Sequence, residues 1–180
     1  MASVRTRIIQ LNIVLLDADV IIDLHRLGIW EQIVKRNQVK ISSIILRQEV
    51  YFYEDEQGKR HNIDLLKDAG IKFQELSIEV TIMRDFIKQF DRNIQEELHP
   101  GELEALSIIQ DDKGLCFCTS DKMAIKALAL IGSSSQGISF EQLLKSSGIA
   151  KKIEYKHTIE YFKKSLGEGS IMRIQSGRIK

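Results

Sequence analysis

The sequence predicts an α/β fold in three layers, with a central, mostly parallel sheet flanked by helices. The first observation is that short runs of branched apolar residues alternate along the chain with segments of helical spacing. This alternation is typical of βαβ units, in which helices connect parallel strands. The second is that two strand-like runs end directly in an acid, Asp17 and Asp121. Ligands bind beyond the carboxyl ends of such strands, so we expect the functional site there.

Composition is that of an ordinary globular protein. The 180 residues are 43% hydrophobic and 28% charged, enough for one domain with a small extension. No apolar run approaches the roughly 20 residues that span a bilayer, and the first residues lack the features of a signal peptide. We therefore expect a cytoplasmic protein with no membrane partner. Cys116 and Cys118 are expected on one face of a strand, as buried residues rather than zinc ligands.

Charge is distributed unevenly along the chain. Residues 151–180 hold eight basic and three acidic residues, a net +5, whereas the first 150 hold 18 basic and 22 acidic residues, a net −4. We predict a domain over 1–150 and a basic, helical C-terminal extension over 151–180. This extension either contacts nucleic acid or is a solvated helix with a frayed end.

Strands are predicted where apolar residues are continuous or alternate. In order, they are NIVLLDA (12–18), QVKISS (38–43), IKFQEL (71–76), LCFCTSD (115–121) and the start of ISFEQLLKSSG (138–148).

Helices are predicted where apolar residues recur at helical spacing between capping signals. Asp19 is a candidate N-cap of the first helix, Pro100 lies near the first turn of another, and Gly70, Gly114 and Gly132 mark helix ends. After the first, the helices cover SIILRQEVYFY (43–53), NIDLLKDAG (62–70), SIEVTIMRDFIKQFDRN (77–93), HPGELEALSIIQDDKG (99–114), DKMAIKALALIG (121–132), the rest of 138–148 and HTIEYFKKSLG (157–167). The segment EDEQGKR (54–60) is expected to be a surface loop.

Acids gather near the carboxyl ends of these strands. Asp17 and Asp121 end strands, while Glu49, Glu102 and Glu104 lie on helices that begin near the same edge. Converging carboxylates stay ionised only if a cation holds them, and an all-oxygen site suits Mg²⁺ or Mn²⁺. Two such ions about 3.5–4 Å apart commonly serve phosphodiester cleavage. Structural roles stay open, since Asp19 and Asp121 are candidate caps, Glu102 suits a helix N-terminus and Glu49 suits an exposed helix.

Four segments in this order resemble the motifs of the PIN-domain ribonucleases, including the VapC-type toxins of toxin–antitoxin pairs. They are LLDADVIIDL (15–24), ISSIILRQEV (41–50), HPGELEALSII (99–109) and CFCTSDKMAIKAL (116–128). The resemblance covers roughly residues 12 to 145 and implies a PIN-like fold. It also implies a Mg²⁺- or Mn²⁺-dependent endoribonuclease that acts on RNA through metal-activated water. A cognate antitoxin and a homodimer are partners that the resemblance suggests.

Matched residue by residue, the resemblance assigns the four acidic, catalytic positions to Asp17, Glu49, Glu104 and Asp121. Glu102 and Asp19 are further candidate metal ligands, and the family more often has Ser or Asn at the position of Asp19. Thr119 matches a position where the family often has a small hydroxyl residue. With Ser120 and Lys122 it forms the predicted substrate-positioning set, and Lys126 is a further candidate for a phosphate contact.

Two other functions remain open. The pair Asp17 and Asp19 also resembles the Asp-x-Asp of haloacid-dehalogenase phosphatases, in which the first acid is the nucleophile and the second a general acid. A PIN-like fold retained only for binding RNA or protein is the non-enzymatic alternative. No catalytic role is predicted for His25, His61, His99 or His157.

Overall fold

The computed structural model describes residues 13–177 and confirms the α/β class. Its central sheet has five strands, all parallel, in the order β5-β2-β1-β6-β7, with helices on both faces. This three-layer arrangement is consistent with a PIN-like fold. The strands are β1 (Val14–Leu16), β2 (Val39–Ser42), β5 (Gln74–Leu76), β6 (Cys116–Cys118) and β7 (Gly137–Ile138), with β3 (Phe52–Glu54) and β4 (Arg60–Asn62) forming a separate antiparallel pair.

The strands at the centre of the sheet are apolar on both faces because helices cover both. All three residues of β1 are fully buried, Val14 and Leu16 towards one core and Leu15 towards the other. On β6, Phe117 joins the core of Leu15, whereas Cys116 and Cys118 face the opposite core. The two cysteines therefore lie on one face of the strand, as predicted, and both are free thiols.

The helices divide between the two faces. α1, α2 and α7 pack on one side of the sheet, and α3, α4, α5, α6 and α8 contribute to the core on the other. Their bounds are α1 (Ala18–Arg26), α2 (Trp30–Arg36), α3 (Val80–Ile87), α4 (Arg92–Glu97), α5 (Pro100–Asp111), α6 (Lys122–Leu130), α7 (Phe140–Ser146) and α8 (Ile159–Gln175).

The helix predicted over 43–53 is wrong in its second half. A helical turn starts at Ser43, becomes π-helical over Ile45–Glu49 and ends there. The chain then forms the antiparallel pair of β3 and β4, with Gly58 at φ +76° in the connecting turn. Two further helices are also shorter than predicted. The helix predicted over 77–93 is α3, which ends at Ile87, and a separate helix, α4, begins at Arg92. The segment 62–70 contains one 3₁₀ turn, Leu66–Asp68.

The last helix is longer than predicted. α8 continues past Gly167 to Gln175 and packs along α6. At Gly169 the two backbones meet, since an added Cβ would lie 2.6 Å from the Lys126 carbonyl oxygen. Glycine here permits a close helix–helix contact that a larger residue would prevent, so burial outweighs its poor helix propensity. Within residues 13–177, no helix is long and apolar enough to cross a membrane.

Candidate functional site

The topology of the sheet places the site at the carboxyl ends of β1 and β6. The chain runs from β1 to β2 on one side and later returns to β6 on the other, so these neighbouring strands flank a topological switch point. Leu16 pairs with Cys118, and the Asp17 backbone N–H donates to the Cys118 carbonyl at 3.0 Å. Asp17 and Thr119 therefore follow their strands side by side.

Asp17 is the N-cap of α1 and is only 3% exposed. Its Oδ1 accepts from the Ala18 N–H at 2.8 Å, and its Oδ2 accepts from the Thr119 hydroxyl at 2.5 Å. The prediction that Asp19 caps this helix is wrong, because Asp19 lies exposed in the first turn. Burial raises the pKa of Asp17 to about 7; the Thr119 bond opposes this rise, and the charges of Asp19 and Asp121 add to it.

Asp121 caps α6, as the sequence allowed. Its Oδ1 accepts from the backbone N–H groups of Met123 and Ala124 at 2.7 and 2.8 Å. Its own backbone N–H donates to the Thr119 Oγ1 at 3.1 Å. Thr119, fully buried, thus links the two strand-ending acids, donating to Asp17 and accepting from Asp121.

Glu102 projects from the first turn of α5 and is 4% exposed. Its Oε2 accepts from the backbone N–H of His99 at 2.8 Å, and its Oε1 accepts no hydrogen bond from any described residue. Burial raises the pKa of Glu102 to about 9, reinforced by the charges of Asp17 and Asp121 and, more weakly, of Glu49. Glu102 therefore lies within the electric field of the other three acids.

Glu104 is equally buried, at 2% exposed, but serves a different contact. Its two oxygens accept from the Ser43 hydroxyl and the Ile44 N–H, each at 2.7 Å, at the start of the turn that leads to Glu49. Because residues two apart on a helix point about 200° apart, Glu102 and Glu104 serve opposite sides of α5.

Glu49 makes a second contact between the segment 43–49 and α5. Its Oε1 accepts from the Gly101 N–H at 2.9 Å, at the start of that helix. A Cβ on Gly101 would overlap the Glu49 carboxylate and the Ile45 side chain. The pairs Glu104–Ile44 and Glu49–Gly101 therefore lock α5 and the segment 43–49 together, and only glycine allows this approach.

The structure brings four of the predicted acids to one edge: Asp17, Glu49, Glu102 and Asp121. Asp19 lies at the periphery and contributes charge to Asp17. The assignment of Glu104 as the principal third-motif ligand stays a prediction, and the geometry favours Glu102 in its place. A capping-box spacing, His99 to Glu102, was the signal in the sequence for the position of Glu102.

The donor set suits a hard divalent cation. All the donors are carboxylate oxygens, and burial, reinforced by the charges of neighbouring acids, raises the pKa values of Asp17 and Glu102. As they stand, no three acidic, histidine or cysteine side chains within residues 13–177 form a ready coordination group. A shared ion would therefore require rearrangement of side chains at this edge.

The predicted substrate-positioning residues all have protein partners. Ser120 is buried, and its Oγ lies 2.6 Å from the Nδ1 of His157. Lys122 and Lys126 both form ion pairs with Glu168 of α8, at 3.0 and 2.9 Å. These two lysines hold the pKa of Glu168 at about 2.

A buried chain of polar contacts connects the C-terminal region to α1 and was not predicted. The Nε2 of His157 lies 2.8 Å from Asp23 Oδ2, near enough for an ion pair though not aligned as a hydrogen bond, and Asp23 also contacts Arg26 at 2.5 Å. Burial acts to raise the pKa of Asp23, but His157 and Arg26 outweigh it and lower that pKa. The sequence signal for this contact was Asp23, an acid within the apolar run 15–24. Its partner, His157, lies 134 residues away.

Comparison with protein-family models gives no match to this sequence, and comparisons with curated proteins and with solved structures give none either. The resemblance to PIN-domain ribonucleases therefore rests on the four sequence segments alone.

Proposed function

We propose that this protein is a Mg²⁺- or Mn²⁺-dependent endoribonuclease. The observation that carries the proposal is the pair of buried acids, Asp17 and Glu102, which repel each other and their neighbours at the switch point of a parallel sheet. Such a cluster costs folding free energy unless a cation binds, and binding sites often carry a cost of this kind.

The residues of the proposed site have distinct roles. Asp17, Glu49, Glu102 and Asp121 would hold the ions, and Thr119 keeps Asp17 and Asp121 in register. Glu104 orients the segment that carries Glu49. Bound divalent ions would supply a nucleophile from water at neutral pH and neutralise charge on the phosphodiester.

The phosphatase alternative is weaker on this geometry. A nucleophilic Asp17 needs an accessible oxygen, yet both of its oxygens accept hydrogen bonds and the residue is 3% exposed. The nearby Lys122 is paired with Glu168 rather than with the acids. A role as toxin, with an antitoxin or a second copy as partner, and a purely binding role remain alternatives that the same site permits.

The test compares Glu102 and Glu104, two buried glutamates with different proposed roles. Cleavage of single-stranded RNA is measured with Mg²⁺, with Mn²⁺ and with EDTA for the wild type, Glu102→Gln and Glu104→Gln. We expect Glu102→Gln to lower the rate by about a hundredfold or more, since it removes a ligand rather than an outer contact. Glu104→Gln keeps an amide oxygen for Ile44 and should retain most activity. Equal rates for the wild type and Glu102→Gln, or cleavage that persists in EDTA, would contradict the proposal.

A further inference from the structure

The C-terminal region presents an exposed aromatic side chain two residues before His157, which contacts Ser120 near the end of β6. Tyr155 is 53% exposed, although its ring contacts that of Tyr161 edge-to-face at 5.6 Å between centroids. Most large apolar surface is buried on folding, and this ring is held in place by a neighbouring ring rather than by the core.

The position of Tyr155 is fixed by the buried polar contacts. It begins the 3₁₀ turn Tyr155–His157, whose last residue reaches Ser120 at 2.6 Å, directly before Asp121. Thr158 fixes the other end of the turn, because its N–H and its hydroxyl both donate to the Tyr155 carbonyl, at 3.0 and 2.7 Å. The turn that carries the ring is thus joined to the segment after β6 by the contact between His157 and Ser120.

The charges around the two rings include both signs. Lys156 and Lys122 are exposed near them, and the Tyr161 hydroxyl lies close enough to Lys122 to add, after Glu168, to the raised pKa of that lysine. Glu154 and Glu160 lie on the same surface, the latter 3.5 Å from the Tyr155 hydroxyl. With two acids beside two lysines, the favourable contribution here is stacking rather than net charge.

We propose that Tyr155 is a stacking platform for an unpaired base of the RNA strand whose backbone enters the acidic edge. This inference rests on the proposed function. Stacking suits the position because every base has an aromatic face, and a fixed ring loses little freedom on binding. Phosphates alone would be repelled by the carboxylates, so an uncharged contact beside them helps hold the strand.

The test measures the affinity of a short unpaired RNA for the full chain in the Glu102→Gln background, where cleavage is expected to be about a hundredfold slower or more. We expect Tyr155→Ala to weaken binding between about fivefold and about a hundredfold, and Tyr155→Phe to bind as the parent does, because it keeps the ring. The salt dependence of binding should not change, since no ion pair is lost. The matched control is Ile174→Ala, an exposed apolar residue near the far end of α8, which should leave affinity unchanged.

A second probe, a ribose–phosphate strand of the same length without bases, separates stacking from charge. It should bind the parent and Tyr155→Ala equally. If Tyr155→Ala binds base-containing RNA as tightly as the parent does, the stacking proposal is overturned, and the ring is then a candidate contact for a protein partner. Cleavage by the wild type is scored separately, so a cleaving enzyme with no Tyr155 effect refutes the stacking alone, whereas a wild type that neither binds nor cleaves RNA refutes both proposals.

Discussion

Two acids on α5 differ only in what surrounds them. Glu104 and Glu102 are both almost fully buried and stand two residues apart. The two oxygens of Glu104 accept hydrogen bonds from two donors on the segment it holds. Glu102 accepts one backbone hydrogen bond and lies in the field of three other carboxylates. The first arrangement stabilises the folded chain. In the second, Glu102 Oε2 lies 3.7 Å from the Nδ1 of the exposed His99 ring, and a ligand or a proton can neutralise the remaining charge.

This difference in hydrogen-bond partners separates a structural acid, Glu104, from a candidate functional acid, Glu102. Burial alone would rank the two acids together, and the sequence motif favoured Glu104. Their hydrogen-bond partners distinguish them. A buried acid whose oxygens accept hydrogen bonds within the protein has a structural role, whereas a buried acid with few such bonds is a candidate ligand-binding residue. Four predictions test this comparison, from the largest expected effect to the smallest, and the last is the measurement that bears on it most directly.

Removing the satisfied acid should cost most in stability. Glu104→Ala leaves the Ile44 N–H and the Ser43 hydroxyl without their acceptor and opens a cavity, so we expect a loss of about 3 kcal/mol in the free energy of unfolding. The measurement is urea unfolding in metal-free buffer. Measured above pH 9, where Glu102 is ionised, Glu102→Ala is the matched variant and should lose much less, because the relief of repulsion offsets the lost hydrogen bond. A larger loss for Glu102→Ala would reverse the assignment.

Stability in metal-free buffer should fall as pH rises. The folded pKa values of about 7 for Asp17 and about 9 for Glu102 exceed their ordinary values, so the folded protein binds more protons than the unfolded chain between about pH 5 and pH 9. The free energy of unfolding therefore decreases across that range. Thermal melts of Asp17→Asn and Glu102→Gln should show a shallower pH dependence and a higher Tm at pH 9 than the wild type. If Asp17→Asn and Glu102→Gln both kept the wild-type slope, the repulsion would lie elsewhere.

A smaller loss of stability is expected at Gly101, where Glu49 contacts the start of α5. Gly101→Ala forces the Glu49 carboxylate and Ile45 to move, and we expect it to cost about 1–2 kcal/mol of stability. Because Glu49 is a proposed ligand, the same change should also weaken Mn²⁺ binding. Gly167→Ala, at a helical glycine with open space around it, is the control and should be neutral or slightly stabilising. Equal effects at the two glycines would show that the Glu49–Gly101 contact is not needed.

Much of the fold could be predicted from local pattern. The central strands β1 and β6 follow from continuous apolar runs, since a strand covered on both faces is apolar throughout, whereas the edge strand β5 follows from alternation in 71–76. The antiparallel pair β3–β4 was missed because Val50, Tyr51, Phe52 and Tyr53 continue the apolar character of the preceding turn. The length of α8 was missed because Gly167 resembles a helix end, whereas the contact of Gly169 with α6 keeps the helix intact.

The candidate site could be predicted only in part, for a similar reason. Asp17 and Asp121 follow strands, so the topology fixes where they lie. The choice between Glu102 and Glu104 depends on which side of α5 faces the strand ends. The packing of α5 in the folded protein determines that side, and the spacing of the two residues in the sequence does not. The contact of His157 with Ser120 and Asp23 joins segments far apart in the chain, and no local signal indicates it.

The most direct measurement of the central claim is the number of protons released when Mn²⁺ binds. Calorimetric titration at pH 8, in two buffers of different ionisation enthalpy, gives both the affinity and the proton count. With its pKa near 9, Glu102 holds a proton at this pH, and binding an ion must displace it. We predict binding with release of about one proton in the wild type and in Glu104→Gln, and with no release, or no binding, in Glu102→Gln. Binding that is absent from the wild type, or the same proton release in Glu102→Gln, would contradict the assignment of this edge as a metal site.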